Sequence, residues 1–101
     1  MMHIKVYNAY RKVVAVCDEG LIGKRFTEGE GQKLLDVKES FYSGELMSKE
    51  KALMIVKSEA ADDATFNFVG KESVELAIES GIIDKKGIMK MQGIPYALSL
   101  L

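Results

Sequence analysis

The chain is poor in the residues that carry most enzyme chemistry. Of its 101 residues one is cysteine, one is histidine, one is proline and none is tryptophan. A single thiol, Cys17, forbids an intrachain disulfide and fits a reducing compartment. Cys17 and His3 together fall short of the ligand set that a zinc site takes. No EF-hand spacing is present either, so no metal and no cofactor is expected. No apolar run approaches the roughly 20 residues needed to cross a bilayer. The start, Met1 to Val6, enters an alternating pattern directly, without the apolar core of a signal peptide. A cytoplasmic protein is the expectation. Charge of one sign is also missing: 14 basic and 15 acidic residues leave a net charge of −1. That lacks the dominant basic footprint of a high-affinity nucleic-acid binder.

What is present is ordinary globular material, 48% hydrophobic and 29% charged, enough for one domain over residues 1–101. A chain of this size buries about two-thirds of its unfolded surface and needs no staple.

Ile4-Lys5-Val6-Tyr7 and Val13 to Cys17 are β-rich runs joined by a polar turn at Tyr10, Arg11 and Lys12. The second run is almost wholly apolar, the pattern of a central strand covered on both faces. Leu21 to Phe26 is short and irregular, Thr27 to Gly31 is a loop, and Lys33 to Val37 is a strand. Phe41 to Gly44 is a turn. Ser48 is a good N-cap for a helix through about Ser58, with Leu53, Val56 and Ala60 at helical spacing. Thr65 to Val69 alternates as a strand does. Gly70 opens a second helix over Lys71 to Ser80, closed by Gly81. Ile82-Ile83, Gly87 to Met91 and Tyr96 to Leu101 are short β-type segments, with a rigid turn at Gly93-Ile94-Pro95. The expected architecture is α+β, with a mixed sheet of about five strands and two helices.

Two places suggest ligand chemistry. A strand running into Gly70 and then a helix leaves backbone N–H groups at the positive end of the helix dipole. Asn67, Gly70, Lys71 and Ser73 are therefore candidate anion-binding residues, although the spacing is not that of a P-loop. The alternative there is a turn that needs glycine for its backbone angles. The second place is Gly23-Lys24-Arg25, which with Arg11 and Lys12 would form a phosphate-binding patch if folding gathered them. The alternative is a solvated turn. Cys17 beside Asp18 and Glu19 is a poor nucleophile, because neighbouring carboxylates disfavour the thiolate. A Cys–His dyad would rest on His3, close to a fraying terminus. Phe66 and Phe68 point the same way along a strand and read as core rather than as a base-stacking platform. No catalytic residues emerge.

Four segments carry a family resemblance: Ala15-Val16-Cys17-Asp18-Glu19 with Leu21-Ile22-Gly23-Lys24; Phe41-Tyr42-Ser43-Gly44-Glu45-Leu46; Asn67 to Ala77; and Gly93-Ile94-Pro95-Tyr96-Ala97. In this order they resemble the DUF424 family of small archaeal proteins of unknown function, over nearly the whole chain. The last segment departs from the family pattern, which has histidine where this chain has Tyr96. The resemblance implies an archaeal cytosolic protein without an assigned reaction and with an association to RNA or translation. It supplies no catalytic residues.

Residues and resemblance together give three functional expectations. The first is a non-enzymatic binding module for RNA or a translation-related protein, touching Arg11, Lys12, Lys24, Arg25 and Lys71. The second is a small-molecule-binding protein or enzyme with its anion site at the Gly70 helix start. The third is a structural subunit whose apolar surface another protein covers.

Overall fold

The computed structural model describes residues 1–100. Its main sheet has six strands in the order β5-β1-β2-β6-β8-β7, with β1 (Met2–Tyr7), β2 (Val13–Asp18), β5 (Glu45–Met47), β6 (Thr65–Val69), β7 (Met89–Met91) and β8 (Ile94–Ser99). A separate two-stranded ribbon pairs β3 (Arg25–Glu28) with β4 (Lys33–Asp36). Three helices complete the fold: α1 (Glu39–Tyr42), α2 (Lys49–Ala61) and α3 (Lys71–Glu79). The α+β class holds, with more strands than the sequence suggests.

The apolar run in β2 explains the centre of the molecule. Val14, Ala15, Val16 and Cys17 are all fully buried, because β2 lies between β1 and β6 and both sheet faces are covered. Val14 and Val16 face one layer with Ile4, Phe66 and Phe68, against Ala52 and Val56 of α2 and Val74, Leu76 and Ala77 of α3. Ala15 and Cys17 face the other, with Val69, against Leu35, Val37, Tyr42 and Met91. Phe66 and Phe68 stack at 5.5 Å between ring centroids inside the first layer, so they are core, as their alternation implies. Phe41 stacks on Tyr7 at 5.1 Å and meets Tyr42 edge-on at 4.9 Å in the second.

Strand pairing is antiparallel except at β2–β6, which runs parallel from Val13↔Thr65 to Cys17↔Val69. A parallel pair requires a long crossover, and the ribbon, α1, β5 and α2 lie within it. The carboxyl ends of β2 and β6 therefore emerge side by side, and everything functional below depends on that.

The differences from the sequence reading have local causes. Thr27 and Glu28 belong to β3, because the ribbon turns later, at Gly29–Gly31, where Glu30 also takes a positive φ of 56°. Phe41 and Tyr42, expected in a turn with Ser43 and Gly44, instead end the short helix α1, whose capping residue Lys38 makes no side-chain cap bond. The helix begun by Ser48, whose hydroxyl accepts from Lys51 N–H at 3.4 Å, runs on to Ala61. Ile82 and Ile83 are not strand; Ile83 plugs the first layer, and a short 3-10 turn at Lys85–Gly87 leads into β7. The tight turn before the last strand falls at Gln92-Gly93, not at Pro95. Both turn residues have positive φ, 49° and 79°, as a two-residue type I′ hairpin turn requires. Pro95 sits inside β8 opposite Lys90. The expected strand from Tyr96 ends at Ser99, and Leu101 lies outside the described residues. His3 is not frayed: it sits in β1 opposite Cys17, its Nδ1 3.1 Å from the Gly44 carbonyl.

Candidate functional site

The site begins with a strand end. Asp18 closes β2, and its carboxylate reaches across to the start of α3, 55 positions away in sequence. Oδ2 accepts from Glu72 N–H at 3.0 Å, and Oδ1 accepts from Ser73 N–H at 2.8 Å and from the Ser73 hydroxyl at 2.7 Å. Gly70, the N-cap position, has no side chain to offer, so Asp18 supplies the cap from another strand. The carboxylate also sits at the positive end of the helix dipole, where negative charge is favoured.

The four candidate anion-binding residues at the Gly70 helix start are placed differently from one another. The N–H groups of Glu72 and Ser73 are occupied by Asp18, and Ser73 is fully buried with its hydroxyl already donated. Asn67 lies mid-strand, paired with Ala15 on one side and Leu98 on the other. Gly70 and Lys71 alone of the four line a cavity. The chain's own carboxylate fills the role that a bound anion would have taken.

The cavity itself is larger than that helix start. A cleft of about 680 Å³ opens over the carboxyl ends of β2 and β6, where ligands settle in α/β-type sheets. One wall is the loop after β2, from Asp18 to Lys24. A second is α3, with Lys71 and Glu75 exposed, Ile78 half-buried and Val74 buried behind them. The third runs from Ile88, just before β7, through Lys90 of β7 and Gly93 of the turn to Ile94 and Pro95 at the start of β8.

Backbone bonds hold these walls. Gly23 N–H donates to the Val37 carbonyl at 2.7 Å, Val37 N–H to the Lys24 carbonyl at 2.9 Å, and Gly70 N–H to the Pro95 carbonyl at 2.8 Å. The Gln92 side-chain amide donates to the Thr27 carbonyl at 2.8 Å, anchoring the third wall to the ribbon.

The lining divides by chemistry. Leu21, Val74, Ile78, Ile88, Ile94 and Pro95 make an apolar floor, and the exposed side chains Lys24, Lys71 and Lys90 stand with Glu19 and Glu75 around it. Among the described residues none of these five charges belongs to an ion pair; the pairs that form involve other carboxylates and ammonium groups.

The patch expected from Arg11, Lys12, Lys24 and Arg25 does not assemble. Arg11 and Lys12 precede β2, whereas Lys24 and Arg25 follow it, so the length of the strand, about 20 Å, separates the pairs. Lys12 is further engaged by Glu59 and Asp62, each at 3.3 Å, and these carboxylates raise its pKa above the ordinary value. Lys24 lines the cleft; Arg25 lies in the ribbon, opposite Asp36.

Cys17 is buried, and burial, reinforced by the Asp18 charge, pushes its thiol up to about 12. A group so resistant to ionisation is a core residue rather than a nucleophile. Among the described residues no cluster of three or more His, Cys, Asp or Glu is placed to hold a metal ion. Lys90, Ile88 and Glu19 were not singled out by sequence; only the pairing of β7 with β8 and the exit of β2 bring them to the cleft.

The fold and site thus define a small α+β protein with a preformed amphipathic cleft beside its one parallel strand pair. The chain belongs to the family described as "Protein of unknown function (DUF424)", whose model matches residues 7–100. Among solved structures it is similar to an uncharacterized conserved protein from Methanopyrus kandleri, with a TM-score of 0.84 at 20% identity, covering 96% of this chain and 88% of that one. This likeness concerns the fold. Among curated proteins nothing matches the chain. No helix of the described residues is long and apolar enough to cross a membrane.

Proposed function

We propose that this protein binds a small organic molecule with an apolar body and an anionic group, in the cleft beside Gly70. The observation that carries the reading is the lining: an apolar floor with Lys24, Lys71 and Lys90 around it, in a cleft of about 680 Å³. Small-molecule sites run to about 300–1,000 Å³ and combine apolar walls with a few polar groups. The lysine ammonium groups, rather than the capped helix start, are the anion's partners. The setting we infer is the cytoplasm of an archaeon, supported by the Methanopyrus kandleri neighbour and by the single buried thiol.

A module for RNA or a translation-related protein has less support. It rested on the glycine-lysine elements at Lys24 and Lys71 and on the family association. Those two lysines meet in the cleft, but Arg11 and Lys12 stand at the other end of β2, and Lys12 is held by two carboxylates.

Proton–nitrogen correlation spectra of the full chain test the proposal, titrated with a panel of apolar carboxylates and alkyl phosphates and, separately, with single-stranded RNA. The expected result is movement of the Gly20, Gly70, Lys71 and Gly93 amides with a panel member, abolished by Lys71→Met together with Lys90→Met. Silence of those amides with every small molecule, alongside RNA-induced movement at Arg11 and Lys12, would overturn it.

A further inference from the structure

We infer that the ligand of this cleft is a zwitterion, of the class of apolar amino acids and apolar dipeptides; the inference rests on the proposed cleft function and narrows it.

The argument starts from charge balance. A carboxylate within reach of a bound anion repels it and lowers its affinity. This cleft carries Glu19 and Glu75 along with Lys24, Lys71 and Lys90. Asp18 also borders the cleft, but its oxygens already accept from three donors and are not free to take a ligand's ammonium.

Nor do the five charges neutralise one another, since no ion pair joins any of them among the described residues. A ligand lying on the apolar floor covers surface next to both signs and draws them out of water. One that carries only a carboxylate leaves the glutamates desolvated without a partner, and one that carries only an ammonium does the same to the lysines. Unpaired charge at a closing interface is costly. A molecule with both groups and an apolar side chain meets all three features of the lining. The two glutamates accept its ammonium, the lysines donate to its carboxylate, and its side chain lies against Leu21, Val74, Ile78 and Ile94.

Isothermal titration of the full chain with four probes tests this: leucine, leucyl-leucine, isocaproate (the acid without the amine) and isoamylamine (the amine without the acid). A zwitterion should bind at least about tenfold more tightly than either singly charged probe, the margin set by one lost charged contact. Leucine and leucyl-leucine separate an amino-acid site from a dipeptide site. Glu75→Gln, an exposed and conservative change, should cost the zwitterion affinity while improving isocaproate; Lys71→Met should weaken both. Unchanged circular dichroism melting would show that each variant keeps its fold. Isocaproate binding as well as the zwitterions would overturn the inference and leave the anion cleft standing. Isoamylamine binding as well as they do would overturn the inference and also contradict a site for anions. If none of the four binds at millimolar concentration the zwitterion is excluded, and the cleft function is then decided by the spectral titration alone.

Discussion

Gly70 lacks a side chain where Asp18 needs the room. A Cβ built on Gly70 would collide with the Asp18 carboxylate that caps α3, and the residue also takes a φ of +107°, where a side chain is strained. Two requirements, space and backbone angle, converge on one position. Gly70→Ala should therefore cost about 3 kcal/mol or more, combining left-handed strain with overpacking. Urea unfolding checks this, and a loss below about 1 kcal/mol would show that the cap tolerates displacement.

Asp18→Ala removes the cap from the other side. It leaves two N–H groups of α3 and the buried Ser73 hydroxyl without their acceptor. The expected cost is about 2–4 kcal/mol, from a lost cap and an orphaned buried donor. Asp18→Asn, which keeps one acceptor oxygen, should lose less. Equal midpoints for the two variants would show that the oxygen asparagine keeps contributes nothing to the cap.

Alkali provides a test of the second layer. Burial raises the Cys17 thiol from its ordinary 9.0, and burial together with nearby Cys17 raises the Tyr42 hydroxyl from 10.0, each to about 12. Both groups are neutral when folded and ionise more readily when unfolded. Their contribution is complete below pH 9 and is lost as pH rises from about 9 to about 12. Stability measured across that window should fall, and Cys17→Ala with Tyr42→Phe should flatten the fall relative to its own neutral-pH value. The same burial predicts that Cys17 reacts with thiol reagents only after unfolding.

Phe68 is fully buried against the Phe66 ring. Phe68→Ala should destabilise by about 3–5 kcal/mol, whereas Lys12→Ala, at the far end of β2, should leave cleft binding untouched even though it strands the buried Glu59 oxygen that Lys12 faces at 3.3 Å. If the lysine variant altered cleft affinity, the separation of the two ends would be functionally unreal.

Elements whose signal is local were legible in the sequence. The apolar run Val13 to Cys17 announced a strand covered on both faces, and Gly70 and Gly81 bracketed α3. What escaped depends on long-range pairing. Nothing near Asp18 in sequence says that its oxygens belong to Ser73. The Gly70 helix start favours negative charge, and Asp18 brings that charge from a strand end 55 positions before Ser73. Lys90 and Ile88 reach the cleft only because a turn at Gln92-Gly93 folds β7 back along β8. The basic patch failed for the same reason in reverse: Lys12 and Lys24 are close in number, but a whole strand holds them apart.

The parallel pairing of β2 with β6 also governs how the chain reaches this shape. Val13 pairs with Thr65 across the whole stretch that holds the ribbon, α1, β5 and α2, and the cap of α3 spans the same stretch of chain. Contacts so distant in sequence incur loop-closure entropy before any are rewarded, which slows a fold relative to one built from neighbours. The hairpins β1–β2 and β7–β8 can form early and alone. The cleft, which needs the exits of β2 and β6 side by side, cannot exist before that long-range pairing is made.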